Sequence, residues 1–172
     1  LALVTSGSYQ RYYYVGETKY HHIIDPETLF PKDTFAAVSI LTPDSGIADA
    51  VSTACFNLSL EEALKYFKSL GIEMVEIGCG GYPGNAHANA EELLSDDAKL
   101  EEFKALIKKY DVEISALSCH GNPVHPNKEI AADFDKTIRN AILLAEKLGL
   151  HQINTFSGCP GDCETAKYPN WV

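Results

Sequence analysis

The stretch Ser59-Leu60-Glu61-Glu62-Ala63-Leu64-Lys65-Tyr66-Phe67-Lys68-Ser69-Leu70-Gly71 divides the chain into two kinds of sequence. Ser59 and Glu62 have the S-x-x-E spacing of a capping box, in which hydroxyl and carboxylate each satisfy a free amide of the first helical turn. Leu60, Ala63, Leu64 and Phe67 then share a face, and Gly71 follows as a stop. Before this helix the sequence reads as short strands and turns. After it the sequence reads as regular strand–helix units.

The 172 residues allow one ordinary domain or pieces of two. A hydrophobic fraction of 45% with 22% charged residues is that of a soluble globular chain. The net charge of -10 argues against a nucleic-acid surface, which needs clustered Lys and Arg. No apolar run approaches the roughly 18 residues of a membrane span. The five cysteines have no scaffold spacing and favour a reducing compartment. With no basic leader visible, a cytoplasmic location is expected, a lost signal or anchor on the first part staying open. Cys159 and Cys163 have no second pair with which to build a zinc site.

In residues 1–58, Gln10 to Val15 and Thr18 to Ile24 predict a hairpin across Gly16-Glu17. Asp25-Pro26 and Phe30-Pro31 break the chain. Phe35 to Leu41 reads as a buried strand, and Asp44 or Ser45 caps a helix to about Cys55. Asp49 and Thr53, four apart on that helix, can offer two hard oxygens to Mg²⁺. The alternative is a solvated Asp and a Thr bonded back to its own helix.

Three ordered motifs here resemble the FAD:protein FMN transferase family: Thr5-Ser6-Gly7-Ser8-Tyr9-Gln10-Arg11-Tyr12, His21-His22-Ile23-Ile24-Asp25-Pro26-Glu27-Thr28 and Ala48-Asp49-Ala50-Val51-Ser52-Thr53-Ala54. The resemblance implies Mg²⁺-dependent transfer of FMN from FAD to a Ser or Thr of a target flavoprotein. It implies His22 in the active site, Asp49 and Thr53 as metal ligands, and Thr5, Ser6 and Gly7 near the flavin. It covers only the family's C-terminal portion, and Leu29 stands where many members carry Gly.

From residue 59 onward, strand starts near 74, 113 and 152, the last strand running from Gln152 to Phe156, recur at a period of about 39, so parallel strands joined by helical crossovers are expected. The helices fall at 60–70, 90–94, 97–110 and 128–148. On the last, Ile130, Phe134, Ile138, Ala141, Ile142 and Ala145 point inward. Helix-to-strand links are tight. Strand-to-helix loops are long and rich in Gly, Pro, His and Asn, as on the functional face of a TIM barrel. Gly71 to Gly78, Ser118 to Pro123 and Asn154 to Gly158 resemble the sugar phosphate isomerase/epimerase family of xylose-isomerase-like TIM barrels.

That resemblance implies a divalent metal (Mg or Mn), a sugar or sugar phosphate substrate and proton transfer beside its carbonyl. His120 is the candidate catalytic residue. Glu76, His120 and His125 are candidate substrate-side residues, with Glu76 on a strand buried on both faces. Trp171 is a candidate aromatic lid.

The expected fold is α/β: a partial TIM barrel of about three βα units (59–172), preceded by a β-hairpin, strand and helix of flavin-transferase type (1–58). Open strand edges make association into a homo-oligomer the expectation. Three functional readings follow: sugar isomerase, flavin transferase, or a joined fragment with no intact site.

Overall fold

In the unit Leu1–Ser69, strand β1 (Ala2–Gly7) is joined in register by β4 (Ala37–Thr42), from Ala2↔Thr42 to Gly7↔Ala37. Between them in sequence lies the tyrosine hairpin, β2 (Tyr12–Val15) and β3 (Thr18–His21). Its turn is Gly16-Glu17, with Gly16 at φ 62. Tyr13 and Tyr20, opposite each other in the ladder, stack at 5.5 Å. The described residues are 1–8, 11–32, 34–35, 37–163 and 165–170 of this computed structural model. The hairpin's expected start at Gln10 and the residue Trp171 lie outside them.

The returning strand ends at His21, short of Ile24, because a turn takes over. Ile24 bridges Pro31, and the Asp25 carboxylate accepts the Glu27 N–H at 2.9 Å. The Leu29 N–H closes the turn onto the Asp25 carbonyl at 2.8 Å. Helix α1 (Ser45–Phe56) is capped by Asp44, whose carboxylate accepts from the amides of Gly46 and Ile47. It packs on β1 and β4 and buries Ala48, Val51, Cys55 and Phe56. Strand β1 was not foreseen. Its alternation of half-buried Ala2, Val4 and Ser6 with exposed Leu3 and Thr5 is a one-sided strand pattern.

The capping box closes as expected. Ser59 N–H donates to Glu62 Oε2 at 2.9 Å, and Glu62 N–H donates to Ser59 Oγ at 3.3 Å. This starts α2 (Leu60–Ser69), which buries Ala63, Leu64 and Phe67. Gly71 follows at φ 73.

The unit Leu70–Val172 holds the regular strand–helix sequence. In order come β5 (Met74–Gly81), α3 (Ala90–Ser95), α4 (Asp97–Lys109), β6 (Glu113–His120), α5 (Lys128–Leu148) and β7 (Ile153–Asn154). The three strands run parallel in the order β5-β6-β7. Ile77, Cys79, Leu117 and Cys119 from the sheet are buried, as are Leu93, Leu100, Phe103, Ile107, Ala141 and Leu144 from the helices. Asn127 caps α5 at one end, and Gly149 ends it in the left-handed conformation at φ 71. Two glycines let α5 approach closely. A Cβ on Gly80 would lie 2.3 Å from Thr137 Cγ2, and one on Gly121 would lie 2.1 Å from Phe134 Cδ1.

The unit is mixed α/β with an open sheet, not a closed barrel. This corrects three expectations. Strand β7 is two residues long, not five, since only Leu117 and Ser118 of β6 pair with it. On α5 the buried stripe runs through Ala141, Leu144 and Ala145, while Ile130 and Ile142 are exposed. Glu76 is exposed as well, because three strands do not enclose an interior.

Leu29 occupies φ 61 with its side chain 74% exposed. A branched residue there costs about 1–2 kcal/mol relative to right-handed geometry, a cost glycine avoids. Leu29→Gly is therefore expected to stabilise the chain by about 1 kcal/mol, read as a rise in the urea midpoint at unchanged m-value.

Candidate functional site

The end of β1, the base of the hairpin and one face of α1 meet at a cavity of about 380 Å³. Thr5, Ser6 and Gly7 reach it from β1, His22 from just after β3, and Asp49 and Thr53 from α1. All six residues implied by the flavin-transferase resemblance thus line one cavity. Arg11, Ile23 and Ile24 complete the lining.

Hydroxyls hold these walls together. Ser6 Oγ lies 2.7 Å from Ser52 Oγ and 2.9 Å from Thr53 Oγ1. Thr53 therefore bonds across to β1 rather than back to its own helix. The hydroxyl that bonds back is Ser52, which donates to the Asp49 carbonyl at 3.0 Å. Of the two histidines, His21 is buried edge-on to Phe56 at 5.5 Å, and its Nδ1 accepts the Ile23 N–H. The strand alternation turns His22 the other way, exposed and into the cavity. The Asp25 carboxyl beneath this loop is held below the usual carboxylate range, first by the Glu27 N–H and then by Lys32.

Asp49 and Thr53 stand one helical turn apart on the cavity wall. Their donor set is one carboxylate and one hydroxyl. It suits Mg²⁺, which keeps several waters and shares its shell with phosphate oxygens. Among the described residues no three His, Cys, Asp or Glu side chains converge as a protein-only metal cage.

In the second unit, Glu76, Ser118 and Asn154 share one face of the sheet by register, and Asn154 Nδ2 donates to Glu76 Oε2. His120 ends β6 and stacks on Phe156 at 4.4 Å with ring planes 12° apart. Its Nδ1 is shielded from solvent and has no hydrogen-bond partner among the described residues. Burial lowers its pKa, and Glu76 opposes that shift. His125 sits in its own turn, where Nδ1 accepts the Asn127 N–H at 3.0 Å. A cavity of about 420 Å³ opens between the end of β5, α3 and α5. It was not foreseen in the sequence, and Glu76, His120 and His125 do not line it.

The thiols are sorted by environment. Burial pushes Cys55 up to about 12. Cys79 is pushed up by its contact with Cys119 and by burial. Cys163 is exposed, and the Thr165 hydroxyl and amide pull it down. Cys159 Sγ bonds to the Asn170 carbonyl, separately from Cys163.

The second unit is a three-stranded parallel sheet flanked by helices, and the first is a motif-bearing strand–hairpin–helix unit. Residues 64–171 match the xylose isomerase-like TIM barrel family, and the chain belongs to it. Residues 1–75 match the ApbE family. The two matches overlap at 64–75, from within α2 into the start of β5.

The uncharacterized protein YfiH of Bacillus subtilis is 31% identical over 122 residues, which are 71% of this chain and 39% of YfiH. The FAD:protein FMN transferase of Treponema pallidum is 49% identical over 63 residues, 36% of this chain and 17% of that enzyme. The FAD:protein FMN transferase of Rhodobacter capsulatus is 35% identical over 74 residues, 43% of this chain and 14% of that enzyme. The crystal structure of the ApbE protein of Thermotoga maritima is 38% identical over 40% of this chain and 23% of its own, with a TM-score of 0.37. The chain spans well under half the length of these relatives.

No helix among the described residues is long and apolar enough to cross a membrane.

His120 supplies a pH test of the second unit. Its folded pKa lies below the unfolded value of about 6.5, so unfolding takes up a proton in that window. Stability is full above pH 6.5 and falls as pH drops through the folded pKa. His120→Gln is expected to flatten this acid-side decline, measured by urea midpoints between about pH 5 and 8.

Proposed function

We propose that the first unit is the metal- and phosphate-holding part of an FAD:protein FMN transferase site, acting on a Ser or Thr of a target flavoprotein. The observation that carries this reading is the lining of a single cavity by Thr5, Ser6, Gly7, His22, Asp49 and Thr53. Asp49 and Thr53 would hold Mg²⁺, which neutralises charge on the phosphates during transfer. Exposed on the cavity wall, His22 is the base that takes the proton from the acceptor hydroxyl. The hydroxyl oxygen bonds to the FMN phosphorus, the bond to the adenylate oxygen breaks, and AMP leaves. The Ser6 hydroxyl positions Thr53. The ApbE match over residues 1–75 and the Treponema pallidum relative support this reading.

Incubation with FAD, Mg²⁺ and a flavoprotein acceptor should give a fluorescent covalent flavin band on a denaturing gel. Asp49→Asn should slow its formation at least about a hundredfold, the cost of losing several kcal/mol of metal assistance. No band with the unmodified chain, across several acceptors, defeats the reading.

The second unit supports a second reading, a sugar phosphate isomerase or epimerase. Its support is the polar face of Glu76, Ser118 and Asn154 ending at His120, in a chain of the xylose isomerase-like family. Here Glu76 is the candidate proton acceptor and His120 a substrate-side donor. Interconversion of aldose, ketose or epimer pairs with Mn²⁺, Mg²⁺ or Co²⁺, lost in Glu76→Gln, is the expected outcome. Inertness across the sugar panel removes it.

A further inference from the structure

The ring of His120 is held from one side, and that decides where its proton sits. Ser118 of β6 pairs with Asn154 of β7. Two residues beyond each stand His120 and Phe156. Their rings stack at 4.4 Å with planes 12° apart. Phe156 is met in turn by Tyr82 at 6.3 Å, and Tyr82 by Phe134 of α5 at 5.3 Å. Phe134 reaches this place because residue 121 is glycine, whose absent Cβ would overlap the ring. Phe134, Tyr82 and Phe156 therefore run in file up to His120, each from a different segment of the unit.

A neutral imidazole has one donor and one acceptor nitrogen, and an imidazolium has two donors. The Nδ1 of His120 is shielded from solvent and has no hydrogen-bond partner among the described residues. A proton on Nδ1 would leave a buried N–H unmet, and orphaned N–H groups are rare in folded proteins. The Nδ1 lone pair therefore faces inward, and the proton sits on Nε2, which is not shielded in this way. The imidazolium is disfavoured for the same reason. Two neighbours pull the other way. The face of Phe156 attracts a cation, and Glu76 on β5 is the charged group felt at His120 among the described residues. Burial outweighs Glu76. Asn154, Tyr82 and Phe134 add no charge.

We propose that Phe156 is a positioning residue: its stacked ring fixes His120 as a neutral imidazole that presents Nε2–H to a carbonyl or hydroxyl oxygen of the substrate. Such a group polarises an oxygen without giving up its proton, and proton transfer is left to Glu76. The substrate oxygen comes from the sugar isomerase reading, on which this part rests. The tautomer of the ring does not depend on that reading.

The test is the long-range proton–nitrogen spectrum of the histidine rings in the isotope-labelled full chain, followed between about pH 5 and 8. The His120 signals are assigned by their loss in His120→Gln. The unmodified chain should show the Nε2–H tautomer at neutral pH and a titration midpoint below about 6.5. Phe156→Leu removes the facing ring and admits water to Nδ1, so the two tautomers should mix and the midpoint should rise toward about 6.5. Phe156→Tyr keeps the ring and should keep both properties. Phe156 is 45% exposed, so both variants should retain the unmodified thermal unfolding profile. For any sugar pair that the chain interconverts, Phe156→Leu should lower kcat/KM about tenfold, the order of one hydrogen bond, and Phe156→Tyr should not. An Nδ1–H tautomer, or a charged ring at neutral pH, in the unmodified chain overturns the assignment. An unchanged tautomer and midpoint in Phe156→Leu overturn the role of Phe156. The expected spectra with no turnover of any sugar uphold the positioning of His120 and sink only the isomerase reading.

Discussion

The first unit depends on one hydroxyl. Ser6 Oγ sits between Ser52 and Thr53, at 2.7 and 2.9 Å, and so joins the end of a strand to the middle of a helix. Each such bond contributes only about 0.5–1.5 kcal/mol net. Its larger consequence is geometric. It fixes how α1 is rotated over β1, with Ala48 and Cys55 fully buried below and Asp49 and Thr53 turned to the cavity. Ala48 is small enough to let the helix lie close. A rotation of one residue about the helix axis, in the sense that brings Asp49 to the place of Ala48, would swing it by about 100° and bury a carboxylate, at a cost far above the bonds themselves.

At the boundary between the units the chain relies on short-range signals. Ser59 and Glu62 start α2 with groups three residues apart, and Gly71 stops the chain beyond it. The signals that start and stop this helix lie within two residues of its ends. Both family matches run through residues 64–75, so the same amphipathic turn pattern satisfies both. Local signals of this kind survive a change of what lies on either side, which is how a chain can join two families without a break in secondary structure.

Helices were the most legible part of the sequence. Helix α5 spans Lys128–Leu148 as read, because Asn127 and Gly149 mark its ends locally. Strands were less legible because their definition lies in distant partners. β1 needs β4, some 35 residues later, and its Ser6-Gly7 end has weak β-propensity. β7 is short because few residues of β6 pair with it. Glu76 was misjudged because burial on both faces belongs to a closed sheet. The cavity of the first unit was legible only through its three motifs. Spacing alone offered Asp49 and Thr53 and nothing to connect them to His22. Arg11 stands inside the first quoted motif, but only the cavity lining places it with Asp49 and His22.

The placement of the cysteines gives each unit its own chemical reporter. Cys55 lies wholly buried on the inner face of α1, and Cys79 and Cys119 lie together in the sheet with 2% and 1% exposure. A thiol shielded from solvent is out of reach of alkylating reagents until its surroundings open. Cys163, exposed and acidified, is the fast background site. Reaction at Cys55 therefore records opening of the first unit, and reaction at Cys79 and Cys119 records opening of the second. The chain carries in its native side chains a separate clock for each of its two halves.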